Sequence, residues 1–179
     1  MKEKKYRGIV TATIPVMVGY IVLGTGFGII LRQKGFGILW AFCMSFFIYA
    51  GAMEYVAIDI LTMPFAPLTV ALTTLAVNSR HLLYGVSMLE KYKNKKSKIL
   101  LALLLTDETY ALVCTGENSE SRYLVTSILN WFYWVLGSVL GNAVGGALSF
   151  STEGVDFALT ALFVSAFTGQ IKNLKAGTR

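Results

Sequence analysis

The chain has 179 residues, of which 55% are hydrophobic and 15% are charged, and its mean hydropathy is +0.60. The core of a soluble domain of this size does not need so much apolar sequence, so these values exclude an ordinary soluble protein. The formal net charge is +6, but most of the basic residues flank apolar stretches. That arrangement is typical of membrane topology and does not indicate a nucleic acid partner.

The apolar residues lie in six long blocks. A helix needs about 20 apolar residues to cross roughly 30 Å of hydrocarbon, and most of the blocks reach or approach that length. They also lack the polar stripe that the helices of a soluble bundle carry. The pattern predicts an all-α polytopic membrane protein with about six hydrophobic segments, at about residues 8–31, 36–63, 65–89, 99–115, 124–150 and 155–171.

Several classes of protein are disfavoured by what these blocks contain. Cys43 and Cys114 both lie inside apolar blocks, so we expect neither a disulfide framework nor a metal site. The lone histidine, His81, has no serine or cysteine spaced for hydrolysis, and the chain has no phosphate-binding loop. We therefore expect no enzyme and no cofactor. The apolar run after the basic start is too long for a cleaved signal peptide, so we expect it to be retained.

The basic residues do not fit a topology in which all six blocks cross the bilayer, because the two faces would then carry eight and seven of them in their loops. If the first and fifth blocks instead entered and left on the same face, the cytoplasmic loops would hold fourteen against one. This count predicts that both termini and the loops at residues 32–34 and 90–98 lie on one side.

The first and fifth blocks are also the richest in helix-breaking residues. Two interpretations are open. The Gly-x-x-x-Gly spacing in both blocks is typical of close helix packing. Alternatively, the two blocks are broken or re-entrant helices that enter from opposite faces, as in transporters built from inverted repeats around a midplane site. The candidate break points are Pro15, Gly19, Gly24 and Gly28 in the first block and Gly51 in the second.

Polar and ionisable side chains interrupt the middle blocks. A charge at the centre of a membrane helix costs about 2.5–3.5 kcal/mol, so these groups indicate pairing or function. Four carboxyls face one guanidinium, so some carboxyls must be protonated, lie near an interface or meet a cation. A structural ion pair between Arg80 and one carboxyl is the simpler alternative. The residues concerned are Glu54, Asp59, Asn78, Arg80, His81, Asp107 and Glu108.

Five stretches, in order, resemble the branched-chain amino acid permease family typified by AzlC: PVMVGYIVLGTGFG, YAGAMEYVA, VNSRHLLYG, LTDETYAL and VDFALTALFV. The N-x-R-H-x-x-Y-G and D-E elements are the most specific. The resemblance implies a multi-pass protein of the cell membrane that exports branched-chain amino acids with a small multispanning AzlD-like subunit. The chain departs from the family at Ile21-Val22, where a second proline is usual, and at Glu54-Tyr55, where Gln-Phe is usual. Members also tend to continue beyond residue 179, so we expect a C-terminally short chain.

Residues 1–179 are therefore expected to form a single transmembrane transporter domain. The main hypothesis is a secondary transporter subunit that exports hydrophobic amino acids, with protons as a candidate coupling ion. A non-transporting scaffold or channel subunit is the alternative. Arg80 is the candidate for the substrate carboxylate, and acidic residues are candidates for its ammonium. The predicted substrate-binding residues are Asn78, Arg80, His81, Tyr84, Glu54, Tyr55, Asp107 and Glu108.

Overall fold

The computed structural model describes residues 2–114 and 118–147, with side chains from residue 6 onward. Within these residues the chain forms seven helices and no strand, so the prediction of an all-α protein is confirmed. The sixth block, residues 155–171, lies outside the described residues, and the count of about six segments stays a prediction. The helices are α1 Lys2–Gln33, α2 Ile38–Phe47, α3 Gly51–Thr62, α4 Pro67–Tyr92, α5 Lys98–Leu103, α6 Asp107–Val113 and α7 Glu120–Gly145.

Two of the described helices are long and apolar enough to cross a membrane, over Tyr6–Gln33 and Glu120–Gly145. At 1.5 Å per residue, each measures roughly 40 Å. Large apolar side chains on other helices are left uncovered, among them Leu83, which is 73% exposed, and Leu103, which is 72% exposed. A protein surface in contact with lipid tails has this composition.

Helices α1 and α7 pack side by side in parallel through their glycines. A Cβ at Gly137 would lie 2.9 Å from the carbonyl oxygen of Tyr20, and a Cβ at Gly145 would lie 3.0 Å from the Cα of Ile29. The contact positions increase together along both helices, so the chains run in the same direction. The Asn142 amide adds hydrogen bonds to the carbonyl oxygens of Gly28 and Phe36, at 3.2 and 3.0 Å.

The predicted breaks in the first block are wrong, because α1 runs without interruption through Pro15, Gly19, Gly24 and Gly28. Proline removes a single backbone hydrogen bond, and a long membrane helix tolerates that loss. Gly24 and Gly28 instead allow the close packing against α7 that the other interpretation described. Residues 124–145 of the fifth block also form an unbroken helix, as part of α7.

The second block folds into a helical hairpin, which we call the first hairpin: α2, residues 48–50 and α3. Phe36, just before α2, accepts a hydrogen bond from Asn142, near the end of α7, whereas Phe46 stacks edge-on against Trp131 near its middle. In α3 the chain doubles back, since Tyr55 bonds the carbonyl oxygen of Leu23. Gly51, a predicted break point, is the first residue of α3.

The fourth block folds in the same way, into a second hairpin made of α5, residues 104–106 and α6. The backbone N–H of Ser97, just before α5, donates to Glu120, the first residue of α7, at 3.0 Å. At the other end of α5, Thr106 reaches Tyr20 in the middle of α1. Helix α6 then returns, because Arg122 in the first turn of α7 donates to the carbonyl oxygen of Leu112.

These contacts overturn the predicted arrangement of loops. The parallel pair α1–α7 has an amino end, near residues 6 and 120, and a carboxyl end, near residues 33 and 145. Residues 32–34 lie at the carboxyl end, beside Gly146. Residues 90–98 lie at the amino end, beside Glu120. The N-terminus and residues 32–34 are therefore at opposite ends of one continuous helix, and residues 32–34 and 90–98 lie at opposite ends of the α1–α7 pair.

Candidate functional site

A buried carboxyl group stabilises the tip of the first hairpin, residues 48–50. Glu54 is fully buried and accepts hydrogen bonds from the Ser45 hydroxyl (2.7 Å), the Trp134 indole (2.9 Å) and the backbone N–H of Ala50 (3.1 Å). Tyr49 has a φ of 45°, in the left-handed region that non-glycine residues rarely occupy. The carboxyl thus joins α2, the start of α3 and α7, and compensates for the local strain.

The tip of the second hairpin is built by a helix cap. Thr106 precedes α6, and its hydroxyl accepts from the backbone N–H of Thr109 at 3.3 Å. The same hydroxyl lies 2.7 Å from the Tyr20 hydroxyl, which donates to Glu108 at 2.7 Å. Asn130 of α7 donates to Thr109 at 3.0 Å. This polar chain fixes the tip between α1 and α7.

Helix α4 supplies the positive charge at the second tip. The Arg80 guanidinium forms a salt bridge and hydrogen bond with Asp107, the first residue of α6. Both side chains are about one third exposed, so they are accessible from the adjoining cavity. The Nε of Arg80 is buried and has no hydrogen-bond partner among the described residues. The ion pair that the sequence offered as the simpler alternative is therefore present.

The two tips and α4 enclose a cavity of about 60 Å³, which we call the tip cavity. At roughly 10–15 Å³ per water position, it has room for about four waters. Its walls are residues 49–52 of the first tip, residues 106–108 of the second tip, and Arg80, His81, Tyr20, Leu23 and Trp134.

Half of the predicted substrate-binding residues line this cavity, and half do not. Arg80, His81, Asp107 and Glu108 line it. The other four lie outside its lining. Glu54 belongs to the carboxyl network described above, and the Tyr55 hydroxyl donates to the Leu23 carbonyl oxygen at 2.7 Å. Asn78 has a buried amide oxygen with no partner among the described residues, and the ring of Tyr84 stacks on that of Tyr110, with centroids 4.8 Å apart.

Sequence reasoning did not predict the other lining residues as binding residues, and three of them carry polar or aromatic groups into the site: Tyr20, Thr106 and Trp134. Thr106 carried a usable signal, since threonine directly before Asp-Glu is a typical helix N-cap and predicts a break in the fourth block. Tyr20 and Trp134 lie within continuous apolar helices and meet edge-on, with ring centroids 5.5 Å apart. Only the tertiary fold brings these two rings to the cavity.

Comparison with known proteins supplies the family. The AzlC protein family matches residues 15–148. The chain is 38% identical to the branched-chain amino acid transport protein AzlC of Bacillus subtilis, over 92% of this chain and 67% of that protein. It is 39% identical to an uncharacterized membrane protein of Helicobacter pylori, over 94% of this chain and 77% of the relative.

A further relative is the inner membrane protein YgaZ of Escherichia coli, which is 33% identical over 86% of this chain and 68% of that protein. No solved structure matches the chain. A match of the family over most of the chain, together with relatives of this identity and coverage, is sufficient for assignment. The chain belongs to the AzlC protein family, a family of membrane transport proteins.

Proposed function

We propose that this chain is the large subunit of a secondary transporter that exports branched-chain or similar hydrophobic amino acids across the cytoplasmic membrane. The observation that carries the proposal is the meeting of two helix breaks with the side chains of Arg80, His81, Asp107 and Glu108 at one cavity. Discontinuous helices around a midplane site are the way many secondary transporters bind substrate. The name of the Bacillus subtilis relative supports the substrate class.

In a membrane, the two hairpins would be re-entrant from opposite faces. Each follows a long helix, α1 in one case and α4 in the other, and each returns to the end from which it started. A long helix followed by a hairpin thus occurs twice with opposite direction, which supports an inverted repeat. The sequence predicted re-entrant elements in the first and fifth blocks, whereas we now assign them to the second and fourth.

The distribution of positive charge supports an orientation. The amino end of the α1–α7 pair has four basic residues before residue 8 and five lysines in residues 90–98, whereas the carboxyl end has Arg32 and Lys34. Cytoplasmic segments carry the excess of Lys and Arg. We therefore assign the N-terminus and residues 90–98 to the cytoplasm and residues 32–34 to the outside, in a multi-pass protein.

The cavity suits a zwitterion. Arg80 and the first backbone N–H groups of α3, at residues 51 and 52, would bind a carboxylate, since the first N–H groups of a helix have no partner within it. Asp107 would bind an ammonium group, with Glu108 beside it in the lining. Two carboxyls face one guanidinium in the lining, so the substrate ammonium or a proton would balance the charge. This imbalance supports proton coupling.

The volume of about 60 Å³ accommodates the amino and carboxylate groups but not a branched side chain. Substrate entry therefore requires one hairpin tip to move away from Trp134 and Leu23, whose apolar groups would then face the side chain. A small AzlD-like subunit is the proposed partner that supports this movement.

The scaffold alternative has one observation in its favour, the Arg80–Asp107 pair, which also stabilises the contact between α4 and α6.

Counterflow in proteoliposomes tests the proposal. Protein reconstituted with its small partner subunit is expected to exchange labelled leucine saturably, with competition from isoleucine and valine but not from lysine or glutamate. Arg80→Ala should abolish exchange, and Lys34→Gln, an exposed charge far from the cavity, should not. Absence of saturable exchange in the wild-type complex would favour the scaffold. Imposed pH gradients of either sign then establish the direction and the coupling.

A further inference from the structure

A second concave surface lies away from the tip cavity, between the end of α4 and α5. It is a groove of about 740 Å³ with apolar walls that include Leu89, Ile99 and Leu103. These three side chains are largely exposed. The groove is thus more than ten times larger than the tip cavity and has the dimensions and composition that an acyl chain requires.

The charged residues in the lining of this groove are mostly basic. Lys93 and Lys98 line it together with a single acidic residue, Glu90. The surrounding segment, residues 90–98, contains five lysines and one glutamate. Among the described residues, neither Lys93 nor Lys98 forms a salt bridge. Both ammonium groups are therefore available to an anion bound in the groove.

A tyrosine in the same lining provides an independent observation. Tyr92 is 6% exposed, and its hydroxyl has no hydrogen-bond partner among the described residues. Its ring is held edge-on against Tyr123, with centroids 5.4 Å apart. A buried hydroxyl without a partner costs free energy, and an oxygen of a bound molecule would relieve that cost.

We propose that this groove binds one anionic phospholipid, with an acyl chain along Leu89, Ile99 and Leu103 and the headgroup phosphate at Lys93 and Lys98. Basic pockets between membrane helices at the cytoplasmic face bind anionic headgroups in this way. The groove adjoins α5, the first arm of the second hairpin. A bound lipid would therefore stabilise the base of the hairpin whose tip holds Asp107 and Glu108.

Native mass spectrometry of the detergent-purified full chain tests the headgroup part. Offered equal amounts of palmitoyl-oleoyl phosphatidylglycerol and phosphatidylcholine, the wild type should retain the anionic lipid. Lys93→Gln/Lys98→Gln should lower that retention at least about fivefold, since each lysine near an anionic headgroup contributes to binding. Lys95→Gln/Lys96→Gln is the matched control, with the same change in charge on the same segment but outside the groove lining.

Filling the groove tests the acyl part. A Cβ at Gly85 meets nothing within 4 Å, so Gly85→Leu should fold and occupy the groove; Gly8→Leu is the control, because Gly8 is equally open. Ala102→Leu occupies the groove from α5 and keeps the test valid if Gly85→Leu is poorly produced. Loss of phosphatidylglycerol in the lysine pair and in a filled variant, but in neither control, supports the proposal. The proposal is overturned if the wild type retains phosphatidylcholine as well as phosphatidylglycerol. It is also overturned if the lysine pair, or both filled variants, retain phosphatidylglycerol like the wild type. Either result would favour a partner helix as the occupant of the groove.

Discussion

The α1–α7 pair and the two hairpins use opposite means to pack helices in the same protein. In the pair, glycines remove side chains so that two continuous backbones touch, as at Gly28 against Ser138 and Asn142. In the hairpins, the helices stop, and polar side chains such as Glu54 and Thr106 satisfy the backbone groups that the breaks expose. Glycine therefore builds the α1–α7 pair, which we call the frame, and carboxyl and hydroxyl groups build the tips of the hairpins around the site.

The largest expected effect is on the frame. A Cβ at Gly28 would overlap the Ser138 carbonyl oxygen and lie 2.5 Å from the Asn142 backbone nitrogen, whereas a Cβ at Gly19 meets nothing within 4 Å. Gly28→Ala should therefore destabilise the protein by about 3 kcal/mol or more, because backbone cannot move aside. Thermal unfolding in detergent measures this, with Gly19→Ala as control. Equal melting temperatures for the two variants would refute the packing of α1 on α7.

The next largest effect is expected on transport, at a substitution in the site that leaves the stability of the protein unchanged. Arg80→Lys keeps the charge but loses the planar guanidinium that binds a carboxylate through two N–H groups. We expect the leucine exchange rate to fall at least about tenfold, the equivalent of 1.4 kcal/mol, while yield and melting temperature stay near wild type. If Arg80→Lys exchanges normally and Arg80→Ala does not accumulate, Arg80 is only the structural partner of Asp107.

Substitutions at the two adjacent carboxyls should have different effects on transport, because the two groups have different partners. Asp107 pairs with Arg80, whereas Glu108 accepts from the Tyr20 hydroxyl and lies outside the salt bridge. Asp107→Asn should abolish substrate binding. Glu108→Gln should preserve binding but lower the exchange rate, because an amide keeps the hydrogen bond from Tyr20 but cannot carry a charge or a proton. Measurements of substrate binding and exchange rate for both variants test this difference, and identical behaviour of the two variants would contradict it.

The smallest effect is expected at Glu54, which lies behind the cavity. Glu54→Gln retains the shape, and its amide oxygen can keep the bonds from Ala50 and Trp134, but its NH2 group has to donate to the Ser45 hydroxyl, which reverses that hydrogen bond. We expect a loss of about 1 kcal/mol in stability with exchange largely retained. Chemical unfolding and exchange assays on the same preparation separate the two. A selective loss of exchange at unchanged stability would instead assign Glu54 to the substrate site.

The comparison also explains what the sequence could and could not predict. Helical membrane character follows from the apolar blocks, and the polar residues of the third and fourth blocks identified Arg80, His81, Asp107 and Glu108, because charge in an apolar helix is conspicuous. Four of the five predicted break points, Pro15, Gly19, Gly24 and Gly28, lie within the continuous helix α1, because glycine is typical both of helix breaks and of close helix packing; Gly51 adjoins the break at residues 48–50. The break at residues 48–50 has no glycine or proline of its own and depends on Glu54, Ser45 and Trp134, which come together only in the fold.

The assignment of the second block as a hairpin and not a crossing is tested most directly by labelling single cysteines in intact cells. With Cys43 and Cys114 replaced by serine, cysteines are introduced singly at Lys34, Ala66 and Lys95. Positions 34 and 66 should react with an impermeant maleimide from outside, because the first hairpin returns to the side it left, and position 95 should react only from the cytoplasm. Labelling of position 66 only from the cytoplasm, together with 95, would mean that the second block crosses the membrane and is not a hairpin.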